Sequence, residues 1–145
     1  MHLLLHGERR ATYLGWFSQG GDSSCSPVEA FLQDSANVLP GMNKPSGCMV
    51  TLSDARGEGS EHLGQFVEEA RRQGLLLVER KIEDGVATGE ISSGANPAAI
   101  ARYFLSVQQG MSIQARDGST VRELREVADA AMKAWPTLTQ GRQCL

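Results

Sequence analysis

The chain has 145 residues, of which 41% are hydrophobic and 21% charged, a composition typical of one ordinary globular domain. Lys and Arg number 14 against 17 Asp and Glu, a formal net charge of -3, which argues against a surface built for nucleic-acid phosphates. No apolar stretch approaches the roughly 20 residues that cross a bilayer, so we expect no membrane partner. Cys25, Cys48 and Cys144 are odd in number and widely spaced, which favours a reducing cytoplasm over a disulfide framework.

The first 25 residues predict a lead-in segment, with a short helix over residues 8–17 and a mobile Gly/Ser-rich loop over 18–26. A better helix start follows, in which Ser26 caps the helix, Pro27 occupies its first turn and Glu29 completes a capping box. Apolar residues then recur at spacings of three and four until Pro40-Gly41 ends the run; they are Val28, Phe31, Leu32, Ala36 and Leu39. A second short helix is predicted from Pro45 to about residue 57.

Residues 60–89 allow two interpretations. Leu75-Leu76-Leu77-Val78 and Val86, on either side of an acidic turn, are compatible with two strands of a hairpin. Eight apolar residues, however, lie close to one helical stripe: Leu63, Phe66, Val67, Ala70, Leu77, Val78, Ile82 and Val86. We predict one long helix that ends near Gly89, although Gly74 and Gly85 each weaken a helix by about 1 kcal/mol relative to Ala.

The last third predicts two further helices. Asn96 is a cap and Pro97 takes the first helical position; the apolar stripe that follows comprises Ile100, Tyr103, Phe104, Val107 and Met111. After a turn at Asp117-Gly118, Thr120 and Glu123 have capping-box spacing. The final stripe comprises Val121, Leu124, Val127, Ala128, Ala131 and Trp135, and Pro136 is expected to stop the helix. The fold class is all-α, an antiparallel bundle of about five to six helices.

Candidate sites of chemistry have simpler explanations. His2 and His6 have metal-ligand spacing but no third ligand nearby, and His62 at a helix start fits a solvated surface position. Cys48 fits a small buried side chain, with a redox-sensing thiol as the alternative. The glycines of residues 85–94 lack the Lys and Ser/Thr of a phosphate-binding loop. We therefore predict no catalytic residues, no metal and no cofactor.

Several segments together resemble one known family. Lys44-Pro45-Ser46-Gly47-Cys48-Met49-Val50 resembles the start of the sixth helix of TetR/AcrR-family transcriptional regulators. Residues 95–104 and 109–118 are similar to the eighth helix and its exit turn, and residues 121–136 to the ninth helix. The resemblance covers about residues 26–136, with the pieces in the right order.

The resemblance implies a domain organisation. Residues 26–136 would be the ligand-binding and dimerisation domain, residues 1–25 a remnant of the linker helix and its loop, and residues 137–145 a C-terminal tail. Family members read DNA through an N-terminal helix-turn-helix domain, for which we find no match, so operator binding is expected only through such a missing domain.

The resemblance also implies two sites. The last two helices would form a homodimer, with an interface of Phe104, Val107, Met111, Leu124, Val127, Ala131 and Trp135. A small apolar effector would bind among Phe31, Met49, Phe66, Val67 and Phe104. Two alternatives remain open: a dimeric interaction module without a cavity, and a small cytosolic enzyme that uses Cys48 and His62.

Overall fold

The computed structural model describes residues 25–41, 46–47 and 61–140. This part of the chain forms helices and connecting turns and contains no β-strand, which confirms the all-α prediction. In chain order the helices are α1 (Cys25–Val38), α2 (Glu61–Ala87), α3 (Pro97–Arg116), α4 (Val121–Met132) and α5 (Trp135–Thr139). The helix predicted over residues 8–17 and most of the one predicted from Pro45 lie outside the described residues.

Helix α1 begins at Cys25, one residue before the predicted cap Ser26, so Ser26 and Pro27 lie within its first turn. Its predicted apolar face is confirmed, since Val28, Phe31, Leu32, Ala36 and Leu39 are all buried. Beyond the helix, the Ser46 hydroxyl donates a hydrogen bond to the Pro40 carbonyl at 2.6 Å. The Gly47 N–H likewise donates to the Leu39 carbonyl at 2.7 Å, so these two residues fold back on the end of α1.

Helix α2 runs unbroken for 27 residues, which confirms the single helix and excludes the hairpin. Gly74 and Gly85 are both buried inside it, and the loss in helix propensity is offset by the packing of Val78 and Ile82 in the core. The helix ends where the sequence predicts, because Gly89 adopts a φ of 81°, which a glycine does without steric cost.

Helix α3 begins as its sequence predicts. Asn96 is the N-cap, its side-chain oxygen accepts a hydrogen bond from the Ala99 N–H at 3.1 Å, and Pro97 follows in the first turn. Asp117 caps the other end, and Gly118 turns the chain towards α4 with a φ of 102°.

Helix α4 has the predicted capping box between Thr120 and Glu123, but it ends at Met132 rather than at Pro136. Pro136 instead lies in the first turn of α5, where a residue without an N–H loses no helical hydrogen bond. The Thr139 carbonyl accepts a hydrogen bond from the Ser92 N–H at 2.9 Å, and Thr139 is buried. The folded domain therefore extends beyond residue 136, its predicted end.

The core joins all four long helices. Helix α1 packs most extensively on α4, α2 packs on α3, and α3 also contacts α1 and α4. The largest fully buried apolar side chains are Phe31, Phe104, Leu32, Ile82, Ile91, Ile100, Met111 and Leu124. Ile91 comes from the connection between α2 and α3, which is thereby fixed to the core.

Candidate functional site

Two of the predicted effector-binding residues meet in the core. Phe31 of α1 and Phe104 of α3 are buried members of one apolar cluster, together with Val78 and Ile82 of α2. The Phe104 ring also contacts Tyr103 edge-on, with centroids 5.0 Å apart and planes at 83°. The core between α1, α2 and α3 is therefore built from large apolar side chains.

The other three predicted effector-binding residues are not part of this cluster. Val67 is buried near the start of α2 but outside the cluster. Phe66 is 68% exposed, since it points about 100° away from the buried Val67 around α2, towards solvent. Phe66 therefore faces solvent rather than the core, contrary to the prediction. Met49 lies outside the described residues.

Two polar side chains on α3 were not singled out from the sequence. Gln108 is 3% exposed and Ser112 is fully buried. They lie one and two helical turns after Phe104, on the same side of α3. The sequence signal is their i+4 and i+8 spacing from a core aromatic residue, which places polar groups beside an apolar stripe. An apolar binding site uses such groups to orient a ligand.

Four of the seven residues predicted for the dimer interface are buried within the single chain. Phe104, Met111, Leu124 and Ala131 are buried by the chain itself, so they are not available as a contact surface for a second copy. Helices α1 and α2 cover these stripes within the domain. The remaining three residues are half-buried and pack against the core: Val107, Val127 and Trp135.

A different surface of α3 is exposed. One side of this helix, which we call the outer face of α3, consists of Tyr103, Ser106, Gly110 and Ile113. Their spacings of three, four and three residues place them on the same side of the helix. Tyr103 is 38% and Ile113 is 49% exposed. The only other large hydrophobic side chain exposed in the described part of the chain is Phe66.

The outer face is also free of charge. No charged residue occurs in the sequence between Arg102 and Arg116. Helix α4, in contrast, has exposed charged residues along its length, including Arg122, Glu126 and Asp129. The outer face of α3 is therefore a candidate interaction surface.

Two carboxyl groups have shifted pKa values. The pKa of Glu69 is lowered to about 2 by hydrogen bonds from the side chain of Arg72 and then from Gln73. The Thr120 backbone N–H, followed by its hydroxyl, lowers the pKa of Glu123. Both carboxyl groups are hydrogen-bonded on the surface, within one turn of their own helix or its cap, so the shifts reflect local hydrogen bonds rather than a catalytic constellation.

The remaining candidates for chemistry stay isolated. His62 is exposed in the first turn of α2, while His2, His6 and Cys48 lie outside the described residues. Within the described ranges, no three His, Cys, Asp or Glu side chains cluster as metal ligands. None of the described helices combines the length and apolar character that a membrane crossing requires.

The arrangement of helices is that of the TetR-family transcriptional regulators. A cysteine mutant of the TetR-family regulator CifR, solved in complex with 26-base-pair operator DNA, superposes with a TM-score of 0.77 at 26% identity, covering 93% of this chain and 69% of that one. A TetR regulator described as putative from Rhodococcus sp. RHA1 gives a TM-score of 0.69 at 25% identity, covering 94% of this chain and 70% of that one.

The sequence is also similar to that of a transcriptional repressor. The HTH-type repressor ComR of Escherichia coli strain K12 is 28% identical over 111 residues, which are 72% of this chain and 50% of ComR. The chain thus matches about half the length of that relative. No protein-family model matches the sequence.

Proposed function

We propose that this chain is the effector-sensing and dimerising part of a TetR-type transcriptional regulator, acts in the cytoplasm and catalyses no reaction. The observation that carries the proposal is the superposition of nearly the whole chain on CifR, a regulator solved on its operator. ComR is an HTH-type repressor, and the match covers half of it. We assign operator binding in the whole protein to a helix-turn-helix domain N-terminal to α1, since the net charge of -3 does not favour DNA contact by this part.

The proposed effector is a small, mainly apolar molecule with one hydrogen-bonding group. Phe31 and Phe104 would form the apolar walls of its site, and Val67 would close it at the start of α2. Gln108 and Ser112, buried on the same side of α3 as Phe104, would orient the polar group. Burial of a ligand against aromatic side chains supplies affinity, whereas one or two polar contacts supply selectivity.

A thermal-shift titration of the full chain with naphthalene, 1-naphthol and decanol tests this site. A ligand that binds only the folded state stabilises it by about 2.7 kcal/mol at a hundred times its dissociation constant, so we expect a saturable rise in Tm. Phe104→Leu should weaken or abolish that rise, while the exposed control Glu126→Gln should retain it. Native mass spectrometry should show one ligand per chain.

Comparison of 1-naphthol with naphthalene tests the polar contacts. Gln108→Met retains the length of the side chain but removes its amide, so it should weaken 1-naphthol binding more than naphthalene binding. If none of the three probes gives a saturable shift, the chain has no cavity for such molecules. That result would favour the alternative of a dimeric interaction module that acts by pairing with a relative.

The proposed homodimer uses the outer face of α3, together with the side of α4 that faces away from α1. That side carries Ala130, which is exposed, and Val127, which is half-buried. Light scattering at tens of micromolar should give twice the chain mass of 15.6 kDa. Ile113→Asp would place a charge in the interface and should yield a monomer, while Gln65→Glu, on the exposed surface of α2 and outside the proposed interface, should remain dimeric. A monomeric wild-type protein would contradict the dimer.

A further inference from the structure

We propose that the two copies of the chain cross at Gly110, so that α3 of one copy lies against α3 of the other at this residue. The inference rests on the proposed dimer and adds the point of closest approach. Gly110 lies in the middle of a 20-residue helix, where a glycine lowers helix stability relative to alanine and makes no side-chain contact.

Nothing within the described part of the chain requires a glycine at position 110. A Cβ atom built there meets no heavy atom within 4 Å, so alanine would fit the isolated domain without a clash. The backbone also gives no reason, since Gly110 has ordinary helical geometry, unlike Gly89 and Gly118 with their positive φ. An alanine at this site would be expected to make the single chain more stable.

The position of Gly110 on the helix points to a second backbone. It lies at the centre of the outer face, one turn from Ile113 and two turns from Tyr103, the two large apolar side chains that α3 exposes. Without a Cβ on either copy, two helices can approach closely at this point. Tyr103 and Ile113 would then be covered on either side of the crossing.

Charge favours an identical partner on this face. In a two-fold interface each surface meets itself, so a face with charges of one sign would oppose a like face. The outer face carries no charge between Arg102 and Arg116, and a copy of it can be buried without desolvating an unpaired ion. The charged residues of α4 make its solvent-facing positions a poorer centre for such an interface.

Disulfide cross-linking in the full chain measures this distance. The three native cysteines are first replaced by serine (Cys25→Ser, Cys48→Ser and Cys144→Ser), and then Gly110→Cys or, as the matched control, Gln109→Cys is added. A disulfide forms only where two Cα atoms come within about 4.4–6.8 Å. With copper-phenanthroline as oxidant, we expect Gly110→Cys to give a covalent dimer quickly and Gln109→Cys to give at most a small fraction of it.

A second variant pair keeps the test independent of cysteine chemistry. Gly110→Leu should raise the dimer dissociation constant at least about tenfold in sedimentation velocity, since overpacking a close contact is destabilising. Helicity by circular dichroism should be retained, because leucine is the better helix former. If the wild type is dimeric but Gly110→Cys fails to cross-link, or Gly110→Leu leaves the dissociation constant unchanged, the crossing at Gly110 is wrong and the dimer stands. A monomeric wild type overturns both.

Discussion

The rings of Phe104 and Trp135 contact each other, with centroids 5.6 Å apart and planes inclined at 46°. Phe104 is fully buried in α3, and Trp135 is the first residue of α5. The contact therefore fixes the C-terminal helix to the centre of the domain. It also explains why Phe104 is not part of a dimer surface, since Trp135 and the core cover its ring within one chain.

Replacement of Trp135 tests this contact. Trp135→Ala removes the ring contact and leaves a gap beside Phe104, so we expect the free energy of unfolding to fall by about 2–3 kcal/mol. Trp135→Phe retains an aromatic ring and should lose less than half as much. Urea denaturation followed by circular dichroism measures both. Equal losses for the two variants would show that the ring contact itself contributes nothing.

The α1–α4 interface combines exposed polar pairs with a buried core. The Gln33 side-chain amide donates a hydrogen bond to the Asp129 carboxylate at 2.6 Å, and Arg125 Nε donates to Asn37 Oδ1 at 2.9 Å. Both pairs are exposed, so a double-mutant cycle of Gln33→Ala and Asp129→Ala should give a coupling energy below about 1 kcal/mol. Leu124→Ala, in the core beneath them, should cost about 2–5 kcal/mol. A coupling energy as large as the Leu124→Ala loss would reverse this assignment.

The N-cap of α3 gives a third prediction. Asn96 Oδ1 accepts the Ala99 N–H, so Asn96→Ala leaves that donor without its partner and should cost about 1 kcal/mol. Asn96→Asp supplies the same acceptor together with a negative charge at the helix N-terminus, and should be neutral or slightly stabilising. Thermal unfolding of the two variants beside the wild type decides the point. A loss in Asn96→Asp as large as in Asn96→Ala would mean that the cap does not act through this oxygen.

Local signals in the sequence predicted the fold well. The Asn96-Pro97 start and the Thr120/Glu123 capping box depend on residues three apart, so no tertiary information is needed to recognise them. Pro136 was misassigned because proline is compatible both with the end of one helix and with the first turn of the next. Which of the two applies depends on the contacts of Trp135 with the core.

The candidate sites were harder to predict for a physical reason. The spacing of Phe104, Met111 and Leu124 shows that they are buried, but it does not show whether the same chain or a second copy covers them. Phe66 and Val67 show a second problem. Over a 27-residue helix an apolar stripe shifts gradually around the helix axis, so that one of two neighbouring apolar residues faces the core and the other faces solvent. Phe31 and Phe104 share one core cluster, and their role in an effector site stays a prediction.

The α4 capping box makes stability depend on pH. The folded state lowers the pKa of Glu123 because its carboxylate accepts hydrogen bonds from the Thr120 N–H at 2.7 Å and hydroxyl at 2.9 Å. A lowered pKa means that the unfolded chain binds the proton more tightly. The contribution of Glu123 is thus fully present above the unfolded pKa of about 4.3 and is lost as pH falls through the lower folded pKa.

Glu123→Gln removes this titration. We expect the Tm difference between wild type and Glu123→Gln to be constant from pH 7 to about pH 5 and to shrink as the pH falls towards 3, because protonation removes the charge-assisted bonds from the wild type alone. Glu126→Gln, in the next turn of α4, is the matched control. Its partner is the Arg122 side chain at 3.3 Å, with both groups largely exposed, so its effect should be small and should disappear in 1 M NaCl. The capping assignment fails if Glu123→Gln and Glu126→Gln follow the same pH curve.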